Sequence, residues 1–237
     1  MPLHPLPVLQ QQISECTRCP RLREYCEQVA REKKRAHRDE LYWGRPVPGF
    51  GDPDARVWIV GLAPAAHGAN RTGRVFTGDS SGHFLMRALH RAGFASIPSS
   101  THAADGLRLT GAFISAAARC APPDNKPLPL ELDACFPWLR AEFAALRRAR
   151  VIVALGRVAF DACLRLLGER GALVRPRPAF GHGALHAFGP DLPTLVASYH
   201  PSRQNTNTGR LTEPMFDEVF RLARRCAPLP ATSIREV

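Results

Sequence analysis

Four short apolar runs, separated by longer amphipathic stretches, set the pattern of this chain. The runs are continuous rather than alternating, which is typical of strands buried on both faces of a sheet. They cover residues 57–60, 112–116, 151–155 and 195–198. Helical spacing predicts helices over about residues 8–39, 81–92, 130–148, 156–169 and 212–226. Strands that alternate with helices predict an α/β fold with a parallel sheet covered by helices on both sides.

Two Gly- and Pro-rich stretches interrupt this pattern. Residues 43–55 are too rich in both to be regular, and residues 171–193 are predicted as loop with a short extra strand around 185–187. The 237 residues are 45% hydrophobic, which is enough for one well-buried core. We therefore predict one domain over residues 1–237, with residues 1–55 as a helical and loop segment at its start.

The chain is strongly basic. It carries 32 Lys and Arg against 21 Asp and Glu, a formal net charge of +11. A polyanion such as nucleic acid is one explanation, and a solvated, Arg-rich surface is the other. The dense charge run over residues 31–40 has the same two interpretations: a solvated helix face or a contact with phosphate.

No membrane or secretion signal is recognisable, so we expect a cytoplasmic protein whose seven cysteines stay reduced. Cys16 and Cys19 form a C-x2-C pair, and Cys120 and Cys135 form a second, wider pair. Four thiolates of this kind can hold Zn²⁺ or an iron–sulfur cluster, and unrelated buried thiols are the alternative. The three other cysteines lie in helical patterns and are predicted to be core or surface residues: Cys26, Cys163 and Cys226.

Two polar, Gly-containing segments begin where apolar runs end. The first runs from Gly61-Leu62-Ala63-Pro64 to Gly78-Asp79, and the second from His200-Pro201-Ser202 to Thr212. Loops at the carboxyl ends of neighbouring parallel strands form the cleft in which ligands bind in open α/β sheets. We therefore predict that the two segments share one site.

Four segments together resemble the iron–sulfur uracil-DNA glycosylases, most closely their type-5 branch. They cover residues 16–22, 61–79, 119–127 and 200–212, in the family's order. The resemblance implies a three-layer α/β/α sandwich with a four-stranded, mostly parallel sheet. It also implies a [4Fe-4S] cluster held by Cys16, Cys19, Cys120 and Cys135. The expected protein is a monomeric, nucleoid-associated enzyme of base excision repair that acts on DNA containing uracil.

The resemblance also implies roles for single residues. The base pocket would comprise Gly61, Leu62, Ala63, Pro64 and Phe76. The DNA contacts would comprise Arg71, Arg74, Lys126, Ser202, Arg203, Arg210 and Leu211, with Leu211 filling the gap left by a flipped nucleotide. The catalytic groups would be His200, as hydrogen-bond donor to the base, with Asp79 and Asn125 holding water.

Some of these roles have structural alternatives. Leu211 is also suited to be the first buried residue of the last helix, Phe76 to lie in the core, and Asp79 to cap a helix. Two further positions depart from related glycosylases. Ala63 stands where they carry an acidic or polar residue, as in the type-5 branch, so departure of the base by dissociation is an alternative to water held by Asp79 and Asn125. Ala116 stands where an Asn reads uracil, which predicts a broader range that includes hypoxanthine.

Two other classes of protein are compatible with part of the pattern. A non-catalytic iron–sulfur or zinc protein that binds nucleic acid would share the charge and the cysteines. An electron carrier would share the cysteines, but it has no need of a basic surface.

Overall fold

A six-stranded mixed sheet forms the centre of the fold in a computed structural model of the chain, which describes residues 4–172 and 175–228. The strands are β1 (Phe50–Gly51), β2 (Val57–Gly61), β3 (Ala112–Ala116), β4 (Val151–Leu155), β5 (Leu185–His186) and β6 (Thr194–Ser198). Their spatial order is β1-β3-β2-β4-β6-β5. The four inner strands are parallel, whereas β1 and β5 pair antiparallel at the two edges.

The predicted mostly parallel α/β sheet is therefore confirmed, and the strand predicted around residues 185–187 is β5. The expected number of four strands is wrong because two-residue edge strands flank the parallel ones. Strands as short as β1 leave no periodic apolar signal in the sequence.

Eight α-helices are found within the described ranges. They are α1 (Pro5–Ser14), α2 (Pro20–Glu32), α3 (Ala69–Thr72), α4 (Ser80–Arg91), α5 (Pro129–Ala145), α6 (Arg157–Gly168), α7 (Arg203–Asn207) and α8 (Glu213–Cys226). Two 3₁₀ turns cover Arg35–His37 and Pro123–Asn125. No helix in this part of the chain is both long and apolar enough to cross a lipid bilayer.

The single helix predicted over residues 8–39 is wrong. The chain breaks between α1 and α2, and Pro20, which has no N–H to leave unsatisfied, begins the second helix. That helix ends where Lys33 adopts a left-handed backbone conformation with φ 52°. The break places Cys16 and Cys19 in a loop instead of on a helix.

Alternate residues of the inner strands face two separate hydrophobic clusters. One face, which includes Ile59, Ile114 and Val153, packs against apolar side chains of α4 and α8. The other face, which includes Trp58 and Ile152, packs against those of α1, α5 and α6. Because helices cover both faces of the sheet, only the ends of the strands stay open. Ligands bind at the carboxyl ends of the strands in such folds.

The two segments predicted to share a site do not follow neighbouring strands. β4 lies between β2 and β6 and pairs in parallel with both of them. The chain leaves β2 toward β3 on one side and then continues through β4 on the other, so the sheet reverses its order between β2 and β4. Such a switch point is the usual place for a ligand crevice.

Candidate active site

Two aromatic rings, one from each of the two predicted segments, meet at the carboxyl ends of the parallel strands. Phe76 follows α3 with a left-handed backbone conformation, φ 49°, and its ring lies against Gly61 at the end of β2. The ring centroids of Phe76 and His200 are 5.9 Å apart and the planes are tilted by 31°. The predicted convergence of the β2 and β6 segments is thus observed, although the strands are not adjacent.

A glycine at the end of the intervening strand allows this approach. Gly156 follows β4 with φ 95°, and a Cβ there would lie 3.4 Å from the Cβ of His200. The backbone carbonyl of His200 accepts a hydrogen bond of 2.8 Å from the side-chain amide of Asn205, which ties the strand end to α7. Sequence analysis missed Gly156, and its place directly after the apolar run at residues 151–155 was the available signal.

The environment of His200 keeps its imidazole neutral. Burial, which disfavours the charged form, lowers its pKa from 6.5 to about 4. A neutral imidazole carries one N–H donor and one acceptor nitrogen. At neutral pH His200 can therefore donate a hydrogen bond to a carbonyl oxygen without bringing a positive charge into the site.

Asp79 lies beside the loop that follows β2, residues 62–68, termed here the β2 loop. One carboxylate oxygen accepts a hydrogen bond of 2.8 Å from the N–H of Gly82 and caps α4, as the structural alternative predicted. The other oxygen faces Gly68, because a Cβ at that glycine would lie only 2.1 Å from it. Burial raises the pKa of Asp79 above its ordinary value. A capping role and a role at the β2 loop are thus compatible.

The β2 loop is tied to the chain that follows β3. The N–H groups of Ala117 and Ala118 each donate a 2.9 Å hydrogen bond to the carbonyls of Gly61 and Leu62. Ala63 is half-buried and Pro64 is buried. Ala116, at the end of β3, is 2% exposed and presents only a methyl group. This backbone connection leads directly from the predicted base pocket to Cys120.

Arg71 and Arg74 are not available to DNA, in contrast to the sequence prediction. The Arg71 guanidinium is buried and pairs with Glu40, while also donating to the carbonyls of His67 and Gly78. Arg74 is 5% exposed and pairs with Asp105 at 2.7 Å. Both partners are distant in sequence, so the burial of these arginines leaves no local signal.

Leu211 is also misassigned as an apolar wedge. Its side chain is 1% exposed and belongs to the cluster that α8 forms with the sheet, as the structural alternative predicted. Its own N–H donates to the carbonyl of Asn205. A side chain held in the core cannot insert into a base stack without unfolding this turn.

The other predicted DNA contacts remain accessible. Lys126, Arg203 and Arg210 are exposed, and the Arg210 guanidinium lies 4.7 Å from the centroid of the Tyr199 ring. Ser202 is half-buried, and its hydroxyl caps α7. Asn125 is exposed in the turn after Cys120 with φ 56°. Within residues 4–172 and 175–228, no hydrogen bond joins its side chain to Asp79 or His200.

The four predicted metal-ligating cysteines are gathered from three parts of the chain. Burial, and then the neighbouring thiols of Cys120 and Cys16, raise the pKa of Cys19. Burial raises that of Cys135 to about 12, with further contributions from Cys120 and Cys19. Among the described residues, no three His, Cys, Asp or Glu side chains are close enough to grip a single metal ion.

Two N–H groups already point at these sulfurs. The indole of Trp138 donates to Cys16 at 3.3 Å, and the backbone N–H of Arg119 donates to Cys135 at 3.2 Å. Such hydrogen bonds to thiolates are the usual second layer of a metal–sulfur site. Cys26 is a further buried thiol beside Cys120, accepting a hydrogen bond from the N–H of Ala121.

A buried ion pair that sequence analysis missed joins the sheet to this cysteine site. The Arg119 and Glu142 side chains are 1% and 0% exposed and lie 2.6 Å apart. Glu142 also accepts from the hydroxyl of Ser115, which in turn accepts from the indole of Trp58. Arg119 begins the motif segment 119–127, and its partner Glu142 lies 23 residues away on α5, so sequence spacing did not indicate the pair.

Comparison with known proteins finds similarity over the part of the chain that forms this site. A family model described as the uracil DNA glycosylase superfamily matches residues 48–224, which contain both rings and the β2 loop. The type-5 uracil-DNA glycosylase of Thermus thermophilus is 53% identical over 219 residues, which are 92% of this chain and 97% of that protein.

Two further relatives show how the similarity declines. The type-5 uracil-DNA glycosylase of Mycobacterium tuberculosis is 53% identical over 216 residues, covering 91% of this chain and 79% of that protein. The type-4 uracil-DNA glycosylase of Pyrobaculum aerophilum is 35% identical over 130 residues, which are 54% of this chain and 58% of that protein. The similarity to type-5 relatives thus extends much further along the chain.

Proposed function

Because the chain belongs to the uracil-DNA glycosylase superfamily, and within it to the type-5 branch, we propose that it excises uracil from double-stranded DNA. It hydrolyses the N-glycosidic bond between base and deoxyribose, as the first step of base excision repair in the cytoplasm. The observation that carries this proposal is the meeting of the Phe76 and His200 rings above Gly61.

The two rings have complementary tasks. The target base leaves the duplex stack, since its glycosidic bond is inaccessible inside it. Phe76 stacks on the extruded base, an interaction worth about 1–3 kcal/mol per base. The N–H of neutral His200 donates to the base carbonyl, where negative charge accumulates as the base leaves with the bonding electron pair. Stabilising charge at the place where it develops is usually the largest catalytic contribution.

Asp79 and Asn125 act on the sugar side of the reaction. A water oxygen forms the new bond to the sugar carbon and loses a proton, while the departing base gains one, so the reaction is a balanced hydrolysis. Asp79, when ionised, stabilises the positive charge that develops on the sugar and orients this water with Asn125. Ala63 cannot replace either of them. Lys126, Arg203 and Arg210 hold phosphates around the site, and Ser202 adds a neutral contact.

A matched pair of histidine variants tests the proposal. His200→Ala should reduce single-turnover excision from a uracil-containing duplex by about 10²–10³-fold, the usual cost of removing one such donor. Binding of the duplex should persist. His102→Ala removes an exposed imidazole and should leave the rate unchanged. If wild-type protein bound the duplex without forming abasic sites, it would instead be a non-catalytic DNA-binding protein.

We further propose that the base range is broad. Related sites discriminate by a side-chain amide that pairs with the uracil edge, and the methyl group of Ala116 offers no such partner. Loss of a specific partner relaxes discrimination. Hypoxanthine should therefore also be excised, at a rate within about 10²-fold of uracil. A panel of duplexes with uracil, hypoxanthine or xanthine checks this, and activity on uracil alone would contradict it.

The cysteine site is proposed to hold a [4Fe-4S] cluster, which would tie the loop between α1 and α2 to the chain after β3. Its ligands would be Cys16, Cys19, Cys120 and Cys135. Purified protein should be brown, absorb near about 400 nm and contain about four irons per chain. Cys135→Ala should lose this colour, whereas Cys226→Ser, at an exposed cysteine, should keep it. Stoichiometric zinc in colourless protein would contradict the proposal.

A further inference from the structure

Residues 33–42, which overlap the charge run at residues 31–40 and are termed here the basic segment, lie directly against the β2 loop. The backbone N–H of Lys34 donates to the hydroxyl of Tyr42 at 3.3 Å, and that hydroxyl lies 3.1 Å from Nδ1 of His67. His67 precedes Gly68, the residue that faces the carboxylate of Asp79. The hydrogen bond between Tyr42 and His67 therefore joins the basic segment to the β2 loop beside the active site.

The basic segment is held in place on both sides of Leu41. Glu40 pairs with Arg71 and also lies 2.6 Å from Nδ1 of His37. The N–H of Trp43 donates to the carbonyl of Arg71 at 2.9 Å. Between these anchors Leu41 is 94% exposed. A large apolar side chain is thus presented to solvent on a fixed backbone, beside the active site.

The charges of the segment are distributed unevenly. Its acidic Glu40 is neutralised by protein partners, whereas Lys34, Arg35 and Arg38 are exposed. Of these three, Arg38 faces Asp39 at 3.6 Å. Burial, and then the positive charges of Lys34 and His37, lower the pKa of His67, so a positive field reaches the β2 loop. Exposed cations around a protruding apolar side chain fit a nucleic acid, with phosphates outside and sugars and bases within.

We propose that the basic segment is a second DNA-contacting surface, continuous with the active site. Lys34 and Arg35 bind phosphates of the duplex, and Leu41 packs against the sugars and base edges that flank the extruded nucleotide. Leu41 thereby supplies the apolar contact that buried Leu211 cannot supply. This inference rests on the proposed function, because it assumes that DNA occupies the site.

A charge-matched pair of double variants provides the test. K34E/R35E reverses two charges on the segment, and R147E/R150E reverses two exposed charges just before β4, at the opposite edge of the sheet. Duplex binding is measured by fluorescence anisotropy at several salt concentrations, after circular dichroism has shown that both variants are folded. K34E/R35E should weaken binding about tenfold or more at low salt and reduce the salt slope by about 2. R147E/R150E should change the Kd less than about threefold.

The apolar contact has its own comparison. Leu41→Ala should weaken binding of a uracil-containing duplex about fivefold or more, whereas Val8→Ala, at an exposed position of α1, should have no effect. Single-turnover excision at saturating enzyme should stay within about twofold of wild type for R147E/R150E, whose arginines lie at the opposite ends of the strands from the active site.

The two proposals fail differently in this experiment. Suppose that K34E/R35E and R147E/R150E bind equally at every salt concentration while the wild-type protein excises uracil. That result would overturn only the proposed DNA-contacting role of the basic segment. A clear binding difference in a protein that excises no uracil would overturn only the proposed function.

Discussion

Small residues, more than polar ones, determine where the rings of the active site meet. Gly61 ends β2, where a Cβ would overlap the Phe76 ring, and Gly156 directly follows the adjacent strand β4 with φ 95°, a backbone conformation that favours glycine. Phe76 itself accepts a left-handed backbone conformation, which is uncommon for a bulky residue. The contact between Phe76 and His200 thus depends on glycine at positions 61 and 156.

Gly61→Ala should therefore damage catalysis more than stability. The added Cβ would lie 2.7 Å from the Phe76 ring, so the ring must move away from its stacking position. Because displacement of about 1 Å can cost about 10²-fold in rate, we expect single-turnover excision to fall at least about tenfold. Gly168→Ala, where the added Cβ meets nothing within 4 Å, is the control and should retain full activity. A fully active Gly61→Ala enzyme would rule out this placement of Phe76.

The low pKa of His200 also has a thermodynamic consequence. Between its unfolded pKa of 6.5 and its folded pKa of about 4, the unfolded chain binds more protons than the folded one. The free energy of unfolding should therefore fall as the pH falls through this window, by about 3 kcal/mol in total. His200→Gln has no imidazole to titrate and should lose this part of the pH dependence. Urea unfolding of both proteins across the window measures the difference, and parallel curves would contradict the assigned pKa.

At the scale of elements, Arg74 fastens the segment that carries Phe76 to a distant loop. Besides Asp105, its guanidinium bonds Thr77 at 2.9 Å and Ser100 at 3.0 Å and lies 4.9 Å from the centre of the Phe50 ring. Although burial opposes it, Arg74 holds the pKa of Asp105 well below its usual range. The turn between α3 and α4 is thereby connected to β1 and to the loop before β3.

Arg74→Met should consequently destabilise the fold. Removing one member of a buried pair leaves the other charge unpaired and typically costs about 3–5 kcal/mol. Arg148→Met breaks only an exposed pair with Asp54 and should cost less than about 1 kcal/mol. Urea denaturation compares the two variants. Unchanged stability together with weaker DNA binding would restore the role in DNA contact that the sequence suggested for Arg74.

The contrast between these elements explains what the sequence could predict. Buried parallel strands are long apolar runs, so β2, β3, β4 and β6 were recognisable, and the loops that follow them could be assigned to one edge. Arg71, Arg74 and Leu211 were misassigned because their burial depends on partners or packing that sequence spacing does not reveal. The position of β4 between β2 and β6 was likewise invisible, since sequence order does not fix spatial order.

At the scale of the whole molecule, the family predicted from the four motif segments is confirmed, and with it the class of DNA N-glycosylases. The family model covers residues 48–224, and similarity to type-5 relatives extends over about nine-tenths of the chain. No single segment would have sufficed, because short Gly- and Pro-containing motifs are common. Their order on an alternating β/α chain made the resemblance specific.

The proposed cluster should stabilise the molecule as a whole. Its ligands join residues 16–19 to residues 120 and 135, so metal binding would contribute directly to folding. Removing the metal with a chelator should lower the thermal unfolding midpoint of wild type by about 5 °C or more. Cys135→Ala, already without metal, should not respond to the chelator. An unchanged midpoint in demonstrably metal-free wild-type protein would show that the cysteines contribute little to stability.

The position of β6 determines when the enzyme can become active during its synthesis. This strand pairs with β4 and is covered by α8, which also packs against α4. The ribosome therefore delivers the β2 loop and Phe76 long before the imidazole that completes their site. A nascent polypeptide halted after β4 would hold only half of the crevice, and by the proposed mechanism it would excise no base from the chromosome until β6 had been synthesised.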